Sequence, residues 1–214
     1  MKKAIIFDFD GVIANSVNIK SEGFYNLYLP FGMDIAKKVK KHHINNGGIS
    51  RFDKIKYYHS QYLGLTLNSK DLEILCNNFS KSITRKVIDS PYIDGAVDFL
   101  QKFNSQYKFF IVTGTPKNEI DFILNEKKIS HFFIKTYGSP LDKSTLTKNI
   151  LDQFDLKPND LVFVGDALAD YNAAIVNNID FILIESKDNK KLFNNISIIK
   201  LPNLINLHHT ICKL

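Results

Sequence analysis

From Pro91 onward the sequence alternates short apolar runs with segments of helical period, and this alternation restricts the fold more than any other feature. The runs fall at 109–112, 132–135, 161–164 and 181–184, and a fifth at 3–7 opens the chain. Most are apolar at consecutive positions instead of every second one, the pattern of strands buried on both faces. Helical segments are predicted at 94–103, from Pro116 to about 127, at 143–154 and at 167–176. Pro116 suits a first helical turn, where its missing N–H costs nothing. Buried strands separated by helices predict an α/β fold with a doubly wound parallel sheet.

The stretch between the first two strands has a different character. Segments such as 22–29 and 72–83 carry helical periodicity, and Pro30, Gly47-Gly48 and Gly64 separate the helices. No strand is evident there. The expectation is a core domain made of residues 1–15 and 91–214, with an all-helical domain at 16–90 inserted after the first strand. A chain of 214 residues is long enough for one core and a modest insert.

Composition removes several function classes. Hydrophobic residues make up 44% and charged residues 23%, as in ordinary globular proteins. No apolar run approaches the roughly 20 residues that cross a bilayer, so no membrane association is expected. The lysines and apolar residues of the first segment faintly imitate a secretory signal, but Asp8 and Asp10 interrupt it, and a cytoplasmic protein is expected. The net charge of +6 comes from scattered Lys and Arg with no arginine-rich arm. That distribution argues against nucleic acid and for a mild bias toward anionic small molecules. Cys76 and Cys212 show no metal-ligand or redox spacing and are expected to be free thiols.

Each polar signature falls at the carboxyl end of a predicted strand, the edge where open α/β sheets bind ligands. After the first strand come Asp8-Phe9-Asp10-Gly11. Side chains two apart on a strand share a face, so Asp8 and Asp10 would repel one another and lose hydration. A divalent cation relieves both costs, and Mg²⁺ is the hard ion suited to carboxylate and phosphate oxygens.

The series Asp8-Phe9-Asp10-Gly11-Val12-Ile13, Thr113-Gly114-Thr115, Lys143 and Gly165-Asp166-Ala167-Leu168-Ala169-Asp170 resembles the four ordered motifs of the haloacid dehalogenase superfamily. The helical stretch after the first motif is similar to that family's C1-type cap, so the resemblance spans the whole chain. It implies a Rossmann-like core with a cap, and phosphoryl transfer with Mg²⁺ as cofactor. Asp8 would be the nucleophile that becomes an aspartyl phosphate and also a metal ligand. Asp10 would give its backbone carbonyl to the metal and use its side chain as acid and base. Thr113 and Gly114 would bind phosphate, and Lys143 would hold Asp8 and phosphate by charge, with Lys148 as the competing lysine. Asp166 would ligate the metal. Asp170, one turn later on the same helical face, would reach the metal or hold Lys143; the alternative is a plain first-turn acid on the helix dipole.

An aspartate two residues after the nucleophile separates phosphatases and phosphomutases from dehalogenases and phosphonate-cleaving relatives, and Asp10 fills that position. The resemblance therefore implies a phosphatase of a small phosphate ester, a sugar phosphate or phosphoglycolate-like compound. The alternatives are a β-phosphoglucomutase-type enzyme and a non-catalytic binding module. Gly48-Ile49-Ser50-Arg51 resembles the cap segment that sugar-phosphate enzymes present to the substrate, where Arg51 would clamp a second anion. Alternatively, Ser50 caps a helix and Arg51 is a solvated first-turn residue. His42 and His43 are expected to be exposed near a helix end. Asn15 stands where many relatives carry aspartate, near the cap hinge.

Overall fold

A computed structural model describes residues 2–214. The elements run β1 (Ala4–Phe7), α1 (Val17–Tyr28), α2 (Met33–Asn45), α3 (Arg51–Tyr58), α4 (Ser69–Asp89), α5 (Ala96–Phe103), β2 (Lys108–Pro116), α6 (Lys117–Glu126), β3 (Phe133–Ser139), α7 (Lys143–Gln153), β4 (Leu161–Gly165), α8 (Leu168–Val176), β5 (Asp180–Ile184), β6 (Ile199–Leu201) and α9 (Leu207–Ile211). All six strands are parallel, in the order β3-β2-β1-β4-β5-β6. The order reverses at β1, which lies between β2 and β4, so the carboxyl ends of these three strands surround one crevice.

The strands are apolar throughout because both faces are packed. Ile5, Phe7, Ile111, Val164 and Ile182 point into one core with α5, α6 and α9. Ala4, Ile6, Val112, Phe163 and Leu183 point into the other with α7 and α8. Alternate residues of one strand thus serve opposite layers.

Of the five helices between β1 and β2, the first four, α1–α4, form a cap with no strand. Its interior is aromatic: Phe24, Tyr28, Tyr58 and Phe79 are buried, and the Phe24 and Phe79 rings lie 4.2 Å apart. Gly23 lets α1 approach α4, since a Cβ there would lie 2.5 Å from Ile83 Cγ2. The two chain crossings between core and cap run side by side. Ala14 bridges Tyr92, and the exposed Asn15 donates its N–H to the Pro91 carbonyl at 2.9 Å.

Several boundaries differ from expectation. Pro116 precedes the first helical turn instead of occupying it. β2 runs on past Val112 because Thr113 pairs with Gly138 and Pro116 with Ser139; a bulge lies between them, and Gly114 and Thr115 have no partner in β3. The asparagine- and lysine-rich tail adds β6 at the sheet edge and α9, which the sequence did not announce. Cys76 is buried and Cys212 exposed, both free. Among the described residues no helix is long and apolar enough to cross a membrane.

Candidate active site

The strand β1 stops at Phe7, so Asp8 and Asp10 stand in the loop beyond it. Asp8 still continues the ladder, its N–H donating to the Val164 carbonyl at 3.0 Å. Its Oδ1 accepts the Phe9 N–H at 2.7 Å. Gly11 turns the chain at φ +80, and a Cβ there would lie 2.2 Å from Asp166 Oδ2, so glycine is required on both counts.

Lys143 begins α7 and is buried, with Nζ 2.9 Å from Asp8 Oδ2 and 2.6 Å from Asp170 Oδ1. Lys148 is exposed. Asp170 is fully buried in the first turn of α8, and its Oδ2 accepts the N–H groups of Asp166 and Ala167 at 3.2 and 3.0 Å. It therefore does more than sit on the helix dipole: it holds Lys143 and shapes the loop that carries Asp166. Burial opposes the charge on Lys143, but Asp170 and Asp8 together hold the ammonium above its ordinary range.

Asp8, Asp166 and Asp170 each offer a carboxylate oxygen, all within 4.8 Å of one another. Burial pushes the Asp8 carboxyl up to about 7, with Lys143 pulling down and Asp170 and Asp10 adding to the rise. Burial raises Asp166 well above its usual range too, followed by the charges of Asp8 and Asp170. Two buried carboxylates and the half-buried Asp166 against one ammonium leave negative charge uncompensated, and an all-oxygen donor set fits a hard divalent cation such as Mg²⁺. Asp170 spends both oxygens on Lys143 and two backbone N–H groups, and Asp8 spends its two on Lys143 and the Phe9 N–H, which leaves Asp166 as the freest ligand.

Asp10 lies outside that group. Its Oδ1 accepts the Ser16 hydroxyl at 2.6 Å, and its Oδ2 is ion-paired with Lys20. Lys20 also donates to Thr115 Oγ1 at 2.5 Å. Burial would raise Asp10, but the Lys20 charge and the hydrogen bonds from Lys20 and Ser16 prevail and hold it below its usual range. Ser16 precedes α1 without capping it; its hydroxyl is used on Asp10 instead.

Thr113 is buried and its Oγ1 accepts the Thr115 N–H at 3.2 Å. The bulge lifts Gly114 toward the cap: a Cβ on it would lie 2.6 Å from the Gly48 carbonyl oxygen. Cap loop 47–49 thus rests on the core, with Gly47 facing Ala167 and Gly48 facing Ala169 and Lys143. Beneath it a cavity of about 770 Å³, counting its open mouth, is lined by Asp8, Asp10, Thr113, Gly114 and Asp166 from the core and by Lys20, Phe24, His43, Arg51 and Lys54 from the cap.

Two cap residues differ from expectation. Ser50 does cap α3, accepting the Asp53 N–H at 3.3 Å, but Arg51 is not solvated. Its two terminal nitrogens donate to the two carboxylate oxygens of Glu119 on α6, each at 2.7 Å, and the guanidinium lies over the Phe79 ring at 4.8 Å. Arg51 ties cap to core here and does not reach freely into the cavity. His43 is buried against Phe24, with ring centroids 4.6 Å apart, and not exposed; burial, then Lys54, Lys20 and His42, keep it neutral.

Sequence reasoning missed Lys20, His43, Lys54 and Asn189. Asn189 follows β5 and donates to the carbonyls of Asp166 and Ile184 at 2.8 and 2.9 Å, bracing the Asp166 loop from behind. Nothing in an asparagine-rich tail distinguishes it. The lysines resemble any solvated lysine on a helix, and only their burial reveals them.

Fold and site together define a Rossmann-like core with a carboxylate centre beneath a helical cap. A family model of haloacid dehalogenase-like hydrolases matches residues 5–184, and the chain belongs to that family. No curated protein matches the sequence. Similar solved structures include a β-phosphoglucomutase from Clostridium difficile, at 18% identity and TM-score 0.78 over 98% of this chain and 96% of the other. A protein described as a predicted phosphatase from Clostridium acetobutylicum is 16% identical, with TM-score 0.75 over 100% of both chains. One described as a predicted phosphoglycolate phosphatase from Haemophilus somnus is 16% identical, with TM-score 0.72 over 98% and 97%. At these identities the likeness is one of fold.

Proposed function

We propose that the protein is a Mg²⁺-dependent phosphatase of a small phosphorylated metabolite, a sugar phosphate or phosphoglycolate-like compound, working through an aspartyl phosphate on Asp8. The observation that carries this reading is the contact of Lys143 with both Asp8 and Asp170 at the edge of a capped cavity. The core is residues 1–15 and 91–214, and residues 16–90 are the cap.

Asp8 and Asp166, with the backbone carbonyl of Asp10, would hold the metal, and Asp170 would support it. Bound there, Mg²⁺ supplies positive charge that offsets the carboxylates and the incoming phosphate. Lys143 fixes Asp8 Oδ2, and the Phe9 N–H fixes Oδ1, so the nucleophile keeps one orientation. An Asp8 oxygen bonds to phosphorus while the ester P–O bond breaks, and Asp10, which must enter this step protonated, passes that proton to the leaving alkoxide. Asp10 then takes a proton from water as the water oxygen bonds to phosphorus and the acyl phosphate opens. Lys20 and Ser16 hold Asp10 in place and favour the carboxylate form that the second step needs. The Thr113 hydroxyl and the N–H of Gly114, a residue without a register partner in β3, would be donors for the phosphate oxygens.

The test measures phosphate release from a panel of phosphorylated metabolites with Mg²⁺, with Asp8→Asn as blank and with EDTA. Release in the wild type alone, lost on chelation and restored by Mg²⁺, is expected. No release from any ester, or release by Asp8→Asn, overturns the proposal. Hexose phosphate isomerised without release assigns the mutase chemistry instead.

A further inference from the structure

Among the described residues, every cation around the cavity except one has an acidic partner. Lys20 pairs with Asp10, Arg51 with Glu119, and Lys143 with Asp8 and Asp170. Lys54, on α3 one turn after Arg51, is 2% exposed and lines the cavity, yet it enters no ion pair among the described residues. Its polar contact is His43 Nδ1 at 2.9 Å, and its ammonium lies 5.8 Å from the centre of the Phe24 ring. A neutral imidazole accepts one of its three N–H groups, and the other two remain without a protein acceptor.

An enclosed ammonium without a counter-charge is costly unless something else supplies the charge. The neighbours make the need greater, because Lys20 and Lys143 repel Lys54 through the cavity more than Asp10 and Asp166 attract it. Arg51, the cap residue whose sequence context resembles a substrate clamp, has both forks of its guanidinium on Glu119. The cation left free to meet a ligand is therefore Lys54.

We infer that Lys54 selects the substrate by its far end: the phosphate ester that this cavity takes carries a second anionic group, a carboxylate or a second phosphate, which pairs with the Lys54 ammonium. The inference rests on the phosphatase reading for where the first phosphate sits. The cavity contains both ends, with Asp8, Thr113 and Gly114 at the reacting end and Lys54, His43 and Phe24 on the cap wall. A sugar phosphate without a second charge would leave Lys54 buried and unpaired in the complex, a penalty that disfavours it.

Hydrolysis-resistant phosphonates separate this inference from the catalytic one. Wild-type protein with Mg²⁺ is titrated calorimetrically with ethylphosphonate, phosphonoacetate and ethylenediphosphonate, which differ in having a neutral, a carboxylate or a phosphonate far end. At least one charged-tail compound is expected to bind about 10–100-fold more tightly than ethylphosphonate, the range of a charge-assisted hydrogen bond. The preferred one tells carboxylate from phosphate. Lys54→Met is expected to abolish the preference, and in turnover to lower kcat/KM for charged-tail esters through KM. Equal binding of all three by the wild type overturns the inference without any variant, and so does a preference that survives in Lys54→Met. If instead the wild type discriminates by charge but hydrolyses no ester, the phosphatase reading fails and the Lys54 assignment stands.

Discussion

Replacing Lys54 by methionine removes a buried ammonium and keeps an unbranched side chain of similar length, so its effect on stability is set by electrostatics. Burial, then the charges of Lys20 and Lys143, lower the Lys54 pKa from 10.5 to about 7, against weaker attraction from Asp10 and Asp166. The groups facing it are Lys20 on α1, the neutral His43 on α2, Lys143 on α7 and the two core aspartates. A displacement from 10.5 to about 7 has a ceiling of about 5 kcal/mol, at about 1.4 kcal/mol per pH unit. Relaxation and water in the open cavity reduce the expected effect to about 1–3 kcal/mol. Because the folded value lies below the unfolded one, the unfolded chain binds more protons between about pH 7 and 10.5. Stability of the wild type from this group therefore rises with pH across that window and is lowest below it. Urea unfolding at several pH values checks this. Lys54→Met should be more stable than wild type near pH 6 by about 1–3 kcal/mol, and the gap should narrow as pH rises through the window. A gap independent of pH, or a variant less stable at pH 6, would refute the view that Lys54 is a buried, uncompensated charge.

Two further perturbations test the contact between cap and core. Glu119→Gln leaves the Arg51 guanidinium buried with Ser80 as its neutral neighbour, and stability should fall by about 3 kcal/mol in urea unfolding; a loss under about 0.5 kcal/mol would mean the pair is solvated and the cap stands open. Gly114→Ala would set a Cβ 2.6 Å from the Gly48 carbonyl oxygen, so the cap loop must withdraw. Turnover of the best ester found should drop about 10–100-fold, as for a displacement of about 1 Å at a reacting centre, with the melting temperature little changed. Undiminished turnover would show that this close approach is not needed.

The core was legible because its signals are local. Runs such as Phe109-Phe110-Ile111-Val112 announce buried strands, and glycine and proline mark their ends. Three of the four motifs stand out for the same reason, each being a few residues long at a strand end, whereas Lys143 is a single residue at the start of a helix. β6 was hidden by its shortness, three residues with a lysine in the middle, and by its half-exposed edge position. Gly114 reads as an ordinary strand-to-helix turn. The bulge that leaves it without a partner in β3 depends on the register of β2 against β3, which no local pattern carries.

The division at the site follows from the same physics. The sequence by itself determined the alternating α/β core, the helical cap and the carboxylates and lysine of the motifs, since periodicity and residue type act over a few positions. Only the tertiary structure decided what each charge does. Arg51 meets Glu119 across 68 residues, Lys20 meets Thr115 across 95, and Lys54 meets no carboxylate. A lysine in a sequence carries no mark of burial. Its role is set by the distance to the nearest opposite charge, and that distance exists only once the cap has folded over the core.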